Sequence, residues 1–213
     1  MKKQARKPAN VVKKASKKAA KKIAKRVAKA GSALEKRVQL LEDIEEISKL
    51  KARYCNYVDG GWDRLTHDYD GVASIFTEDG VWEAVPTIRA ETREGIREYF
   101  KGAQNIPLAF HRISNPIIEV DGNKATGNWH VLVALTQPNG KAVWIGGIYN
   151  DDFVRTRQGW KFKKLGFTFA INVPYEKGWG PGEYYLKQAA GGQTGQSESA
   201  APAGNGPGAG QGQ

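Results

Sequence analysis

Apolar residues recur at helical spacing through LEKRVQLLEDIEEISKLKARYCNYVDGG, at Leu40, Leu41, Ile44, Ile47, Leu50, Tyr54 and Val58. Steps of three and four residues place them on one face of an amphipathic helix that Gly60-Gly61 stops. WDRLTHDYDGVASIF predicts a second, shorter helix, and GVWEAV a short strand. TREGIREYFKGA predicts a third helix, with Thr92 as its cap and Gly102 behind it. From His111 onward the period changes to two, and a succession of strands is expected. Their turns are marked by Asp121-Gly122-Asn123, Pro138-Asn139-Gly140 and Arg157-Gln158-Gly159, and Asn115-Pro116 is a further turn signal. Helices first and a meander of antiparallel strands afterwards predict an α+β fold, with a curved sheet wrapping the first helix.

Charge and composition divide the chain into three segments. Of its 33 Lys and Arg, thirteen fall in residues 1–31, which hold no Asp or Glu; the remainder has a net charge of −2 against 22 acidic residues. The basicity therefore belongs to an appendage, and the central domain is not a basic nucleic-acid-binding module. Residues 1–32 form a Lys/Ala-rich tail, expected to be disordered or partly helical. Val12, Ala15, Ala19, Ile23 and Val27 supply a thin apolar stripe that Gly31 ends. Residues 1–31 read first as a solvated extension that aids solubility, with weak contact to nucleic acid or an anionic surface as the alternative. Residues 33–188 are the expected folded domain, and 189–213 a Gly/Ala/Gln-rich segment whose composition predicts disorder. A single cysteine, Cys55, excludes an internal disulfide framework and a cysteine-based zinc cluster. No apolar run reaches the length of a membrane span, and no apolar core follows the basic start as in a secretion signal. A cytoplasmic protein is the expectation.

The frameworks of nucleotide, α/β-hydrolase and zinc-protease chemistry (Walker loop, GxGxxG after a strand, GxSxG, HExxH) are missing from the sequence. Three histidines, several carboxylates and many aromatics remain. His67, beside Asp68 and Asp70, reads as a residue of a solvated helix end. Trp129 and His130 occupy opposite faces of one strand, with Trp129 expected inside. His111 begins a strand at the rim of an apolar stretch. There it is either a base for proton transfer near neutral pH or an ordinary structural histidine. Asp59 closes the first long helix on its apolar side, where a buried carboxylate needs a partner. A histidine would serve, and termination of the helix is the simpler alternative.

In order along the chain, LKARYCNYVDGGWD, FTEDGVWE, REGIREYF, HRISNPIIEVDGNKATG and DDFVRTRQGWKFKKL resemble successive blocks of the SnoaL-like branch of the nuclear-transport-factor-2-like superfamily. The resemblance spans about residues 40–170. It implies a conical α+β barrel: a curved, mixed, mostly antiparallel sheet around a long N-terminal helix, enclosing a deep apolar pocket. The branch includes scytalone dehydratase, bile-acid dehydratase and hexachlorocyclohexane dehydrochlorinase, cofactor-independent lyases built on a His–Asp dyad. On that pattern Asp59 matches the dyad aspartate, His111 the catalytic histidine and Tyr54 a catalytic tyrosine. Asn150 matches a substrate-binding asparagine and Trp82 a pocket tryptophan. Leu165 stands where related lyases carry an arginine, and Leu135 where one has a second histidine.

The implied activity is elimination of water, or carbon–carbon cleavage with loss of formaldehyde, on a hydrophobic hydroxylated aromatic or steroid-like substrate. An isomerase that moves a double bond, and a non-catalytic ligand-binding or scaffold module tethered by the basic tail, are the alternatives. Trp129, Trp144 and Phe167 would join Trp82 as aromatic walls. No cofactor or metal is implied, and a homo-oligomer is expected, a trimer before a dimer.

Overall fold

The structure, a computed structural model, describes residues 9–179 apart from Arg64 and Thr87, with side chains from Lys17 onward apart from Ala19. Its elements are α1 (Ala9–Val58), α2 (Tyr69–Ser74), β1 (Phe76–Val85), β2 (Ile88–Glu91), α3 (Arg93–Gly102), β3 (Leu108–Asp121), β4 (Lys124–Thr136), β5 (Ala142–Thr156) and β6 (Gly159–Pro174). The segment at 189–213 lies outside the described residues. Among the described residues no helix is long and apolar enough to cross a membrane.

α1 corrects two expectations. It runs for 50 residues, straight through Gly31. One glycine costs a helix about 1 kcal/mol relative to alanine. The Ala, Lys, Leu and Glu residues on both sides, all good helix formers, outweigh that cost. The expected face is buried only over its later part, at Ile47, Leu50, Tyr54 and Val58. Leu40 and Leu41 are 42% and 65% exposed, while Asp43, Ile47, Leu50, Lys51, Tyr54 and Val58 are buried. That set follows the helical period, but two of its members are charged. Each large apolar side chain in it contributes about 1.5–3 kcal/mol relative to exposure.

The six strands form one mixed sheet in the order β2-β1-β6-β5-β4-β3. β1 runs parallel to β6, and the other neighbours are antiparallel. The expected Asn115-Pro116 turn is instead a bulge within β3. Register with β4 shifts between Ser114 and Ile117, and Asn115 adopts a positive φ of 54°. Asparagine tolerates that conformation, and proline, with no N–H to pair, is at home in a bulge. A second shift, at Gly146-Gly147, lies on the β5–β6 pair. Such irregularities increase twist and bend the strands, so the sheet curls around α1. Phe153, Phe162, Trp129 and Tyr149 join Ile47, Leu50 and Tyr54 in the core between them.

α3 is capped as expected: the Thr92 side chain accepts a hydrogen bond from the Gly95 N–H at 3.1 Å. Thr92→Ala is therefore expected to lower the unfolding free energy by about 1 kcal/mol. Urea denaturation would show it as a lower midpoint at unchanged slope.

Candidate functional site

α1 ends where its apolar face meets the start of β3, and a tight junction joins the two. The Asp59 N–H closes the last helical bond to the Cys55 carbonyl at 2.8 Å. Gly60 and Ala109 exchange backbone hydrogen bonds at 3.1 and 3.0 Å, and the Trp62 indole N–H donates to the Ala109 carbonyl at 2.9 Å. Side chains larger than hydrogen do not fit at this junction. A Cβ on Gly60 would lie 2.8 Å from the His67 ring. One on Gly61, whose φ is +81°, would lie 1.9 Å from the Pro107 carbonyl oxygen.

The junction brings Asp59 and His111 together. Asp59 is 2% exposed, and its Oδ1 accepts the His111 backbone N–H at 2.9 Å. The same oxygen lies 2.6 Å from the His111 ring Nδ1. A carboxylate can only accept, so in the neutral ring Nδ1 carries the proton and Nε2 keeps its lone pair. His111 lines a cavity of about 200 Å³ between α1, α2, α3 and the concave face of the sheet.

Tyr54, one and a half turns before Asp59 on the buried face of α1, lines the same cavity. Its hydroxyl oxygen accepts the Trp82 indole N–H at 2.8 Å, and the same hydroxyl is hydrogen-bonded with that of Tyr149 at the cavity wall. Burial pushes the Tyr54 and Tyr149 phenols well above the ordinary tyrosine range, so both remain protonated donors. Trp82 stacks on Tyr99 at 4.8 Å, with Phe100 edge-on at 5.3 Å. Phe167 and Phe169 form the facing wall. No Lys, Arg, Asp or Glu is among the described residues that line the cavity. It suits a neutral, largely apolar ligand with one or two polar atoms.

Three residues assigned to the ligand lie elsewhere. Asn150 is exposed on the outer face of β5 and accepts a hydrogen bond from Asn128 at 2.7 Å. Its neighbour Tyr149 points inward, so strand alternation turns Asn150 out. Trp144 is outward for the same reason, beside the inward Ile145, and meets Trp179 edge-on at 6.3 Å. Trp129 is inside, as expected, and His130 exposed. Trp129 nevertheless packs against Phe153 at 6.0 Å and over the Lys51 ammonium at 5.2 Å, in the solid core outside the cavity.

His67 does not sit on a solvated helix end. It is half-buried in the loop before α2, lines the cavity and is held at both ring nitrogens, 2.9 Å from the Val58 and Ile106 carbonyls. Tyr99 and Tyr149 are pocket residues that the sequence reading passed over. Tyr99 was visible on the helical face it shares with Ile96. Tyr149 was visible as one of the alternating residues of β5.

The family model of the SnoaL-like domain matches residues 39–166. Among solved structures, a protein of unknown function from Mycobacterium tuberculosis is 27% identical, with 63% of this chain and 75% of that chain covered and a TM-score of 0.52. A nuclear-transport-factor-2-like protein with a cystatin-like fold from Novosphingobium aromaticivorans is 26% identical, covering 64% and 87%, with a TM-score of 0.54. A hexachlorocyclohexane dehydrochlorinase from Novosphingobium barchaimii shares the fold at 20% identity, covering 65% and 93%, with a TM-score of 0.56.

Proposed function

Because this chain belongs to the SnoaL-like domain family, we propose that it is a cofactor-independent lyase acting on a small, uncharged, hydroxylated ring compound. The observation that carries the reading is the 2.6 Å contact of Asp59 with His111 at the wall of an otherwise apolar cavity. His111 Nε2 removes a proton from the carbon next to the one bearing the hydroxyl. That electron pair becomes the new carbon–carbon double bond, the carbon–oxygen bond breaks, and the departing oxygen takes the Tyr54 proton to leave as water. The imidazolium then returns its proton to the phenolate through solvent, so the enzyme is restored and nothing is oxidised. Asp59 holds the ring in the tautomer with Nε2 free and stabilises the imidazolium once formed. Dehydrochlorination, the elimination for which the Novosphingobium barchaimii relative is named, is the same type of reaction with a different leaving group.

Size narrows the substrate. Sites for drug-sized ligands run about 300–1,000 Å³, and the cavity here is about 200 Å³. One ring or two fused rings suit it better than a steroid. A turnover screen of such hydroxylated compounds, read by mass spectrometry, tests the proposal through loss of one water. Loss of formaldehyde or a shifted double bond would keep His111 as the base and change only the bond. Compounds that bind the cavity and come back unaltered would overturn the lyase reading in favour of a ligand-binding module. With a substrate in hand, Tyr54→Phe is expected to lower kcat by about 10²- to 10³-fold with KM nearly unchanged, because one preorganised donor is lost.

A further inference from the structure

The outward half of α1 has no part in the chemistry above. At about 100° per residue, its side chains sort into two faces. Seven cations between Lys17 and Lys29 fill one face. That face continues the azimuth along which Ile47, Tyr54 and Val58 are buried in the domain. The opposite face carries Ile23, Val27, Leu34, Val38 and Leu41, which are 61%, 66%, 59%, 45% and 65% exposed. This stripe spans about 27 Å and points away from the body of the domain. The same outward line continues through Glu45, Ala52 and Asn56, all exposed. A partner can therefore lie along the whole helix without meeting the sheet.

Two features make the stripe complementary to itself. Its apolar residues are disposed symmetrically about Gly31-Ser32. Ile23 and Leu41 stand at the ends, Val27 and Val38 inside them, and Ala30 and Leu34 beside the centre. A Cβ on Gly31 would meet nothing within 4 Å, so the fold of one chain does not require glycine there. A close crossing of two helix backbones would. The second feature is charge. Along one edge of the stripe, Lys17 and Lys21 lie at one end and Glu42 and Glu46 at the other.

We propose that a second copy of this chain packs antiparallel along this face, forming a two-fold helical dimer. Lys21 of each copy then faces Glu42 of the other, and Lys17 faces Glu46. A parallel pair would instead set the two lysine-rich segments side by side, with like charges opposed. The stripe also carries no aromatic anchor of the kind that seats an amphipathic helix in a membrane.

Cysteine cross-linking tests the arrangement, using the full chain with oxidised glutathione as oxidant. An equimolar mixture of Ile23→Cys and Leu41→Cys chains is expected to give a mixed disulfide in high yield, with little cross-linking of either variant alone. The native Cys55 is 6% exposed and adds little background. Leu34→Glu introduced into both chains, at an exposed site that leaves the domain folded by circular dichroism, is expected to abolish the mixed product. Cross-linking of Ile23→Cys with itself indicates a parallel pair and overturns the proposal. So does a chain that forms the mixed disulfide only when duplex DNA or anionic phosphatidylserine vesicles are added. Absence of any cross-link overturns it as well, including where the protein is oligomeric through another face.

Discussion

Replacing His111 with alanine is expected to lower kcat by about 10²- to 10⁴-fold, the usual share of a general base. The side chain is only 12% exposed and is a partner of the buried Asp59, so a lower urea midpoint is expected beside the loss of kcat. Asp59→Asn separates positioning from proton transfer. The amide oxygen can still accept from the His111 backbone N–H, which keeps the junction closed. The same oxygen can still accept from Nδ1–H, but the amide no longer offers a negative charge to the imidazolium. A loss approaching that of His111→Ala is expected, with KM changed much less than kcat. The measurement is steady-state kinetics on whichever compound the screen identifies. If His111→Ala turned over that compound at the wild-type rate, the base would have to be sought elsewhere on the cavity wall.

Lys51→Ala is expected to cost about 3–5 kcal/mol, the penalty for leaving one member of a buried ion pair alone. Lys51 shares the helical phase of Ile47 and Tyr54, so its ammonium is carried into the core. There it meets Asp151 Oδ2 at 2.8 Å, with both side chains 0% exposed. The Tyr149 ring face lies 3.3 Å from the ammonium, a second source of attraction. Burial pushes the Asp151 carboxyl up to about 6, against the opposing pull of Lys51, and pushes Lys51 down, against the pull of Asp151. A loss of this size is a large part of the 5–15 kcal/mol typical of a domain, and unfolding would be visible at ordinary temperatures. Lys51→Met combined with Asp151→Leu should recover much of it, because two apolar residues leave no uncompensated charge.

Asp151 also sets a pH dependence. Its folded value, about 6, lies above the roughly 3.9 of an unfolded aspartate. Between those limits the folded state binds the additional proton. The contribution of Asp151 to stability is therefore full below about pH 4 and is lost as pH rises to about 6. Without Lys51, whose charge holds the Asp151 carboxyl down, that group keeps its proton to higher pH, so the deficit of Lys51→Ala should narrow as pH falls towards about 6 and change little below it. Urea midpoints of the wild type and Lys51→Ala, measured from pH 4 to 7, check both statements.

Periodicity determined that there are three helices followed by an antiparallel succession of strands, and residue type determined the Thr92 cap and the hairpin turns, because each depends on residues close in the chain. The order of sequence blocks along residues 40–170 was sufficient to name the family. Tertiary structure decided which of several plausible faces met the ligand. A strand pattern states that Tyr149 and Asn150 point in opposite directions, but not which direction is the cavity. Bulges at Asn115 and Gly146-Gly147 shift that parity part-way along a strand. Lys51 reads as polar in any sequence scan, yet its place between Ile47 and Tyr54 carries it inside, where Asp151 arrives from a strand a hundred residues away. Gly31 reads as a helix stop, and the strong helix formers around it carry α1 through. The distance between Asp59 and His111 depends on how the end of α1 meets the start of β3. No spacing along the chain encodes a contact between residues 52 positions apart.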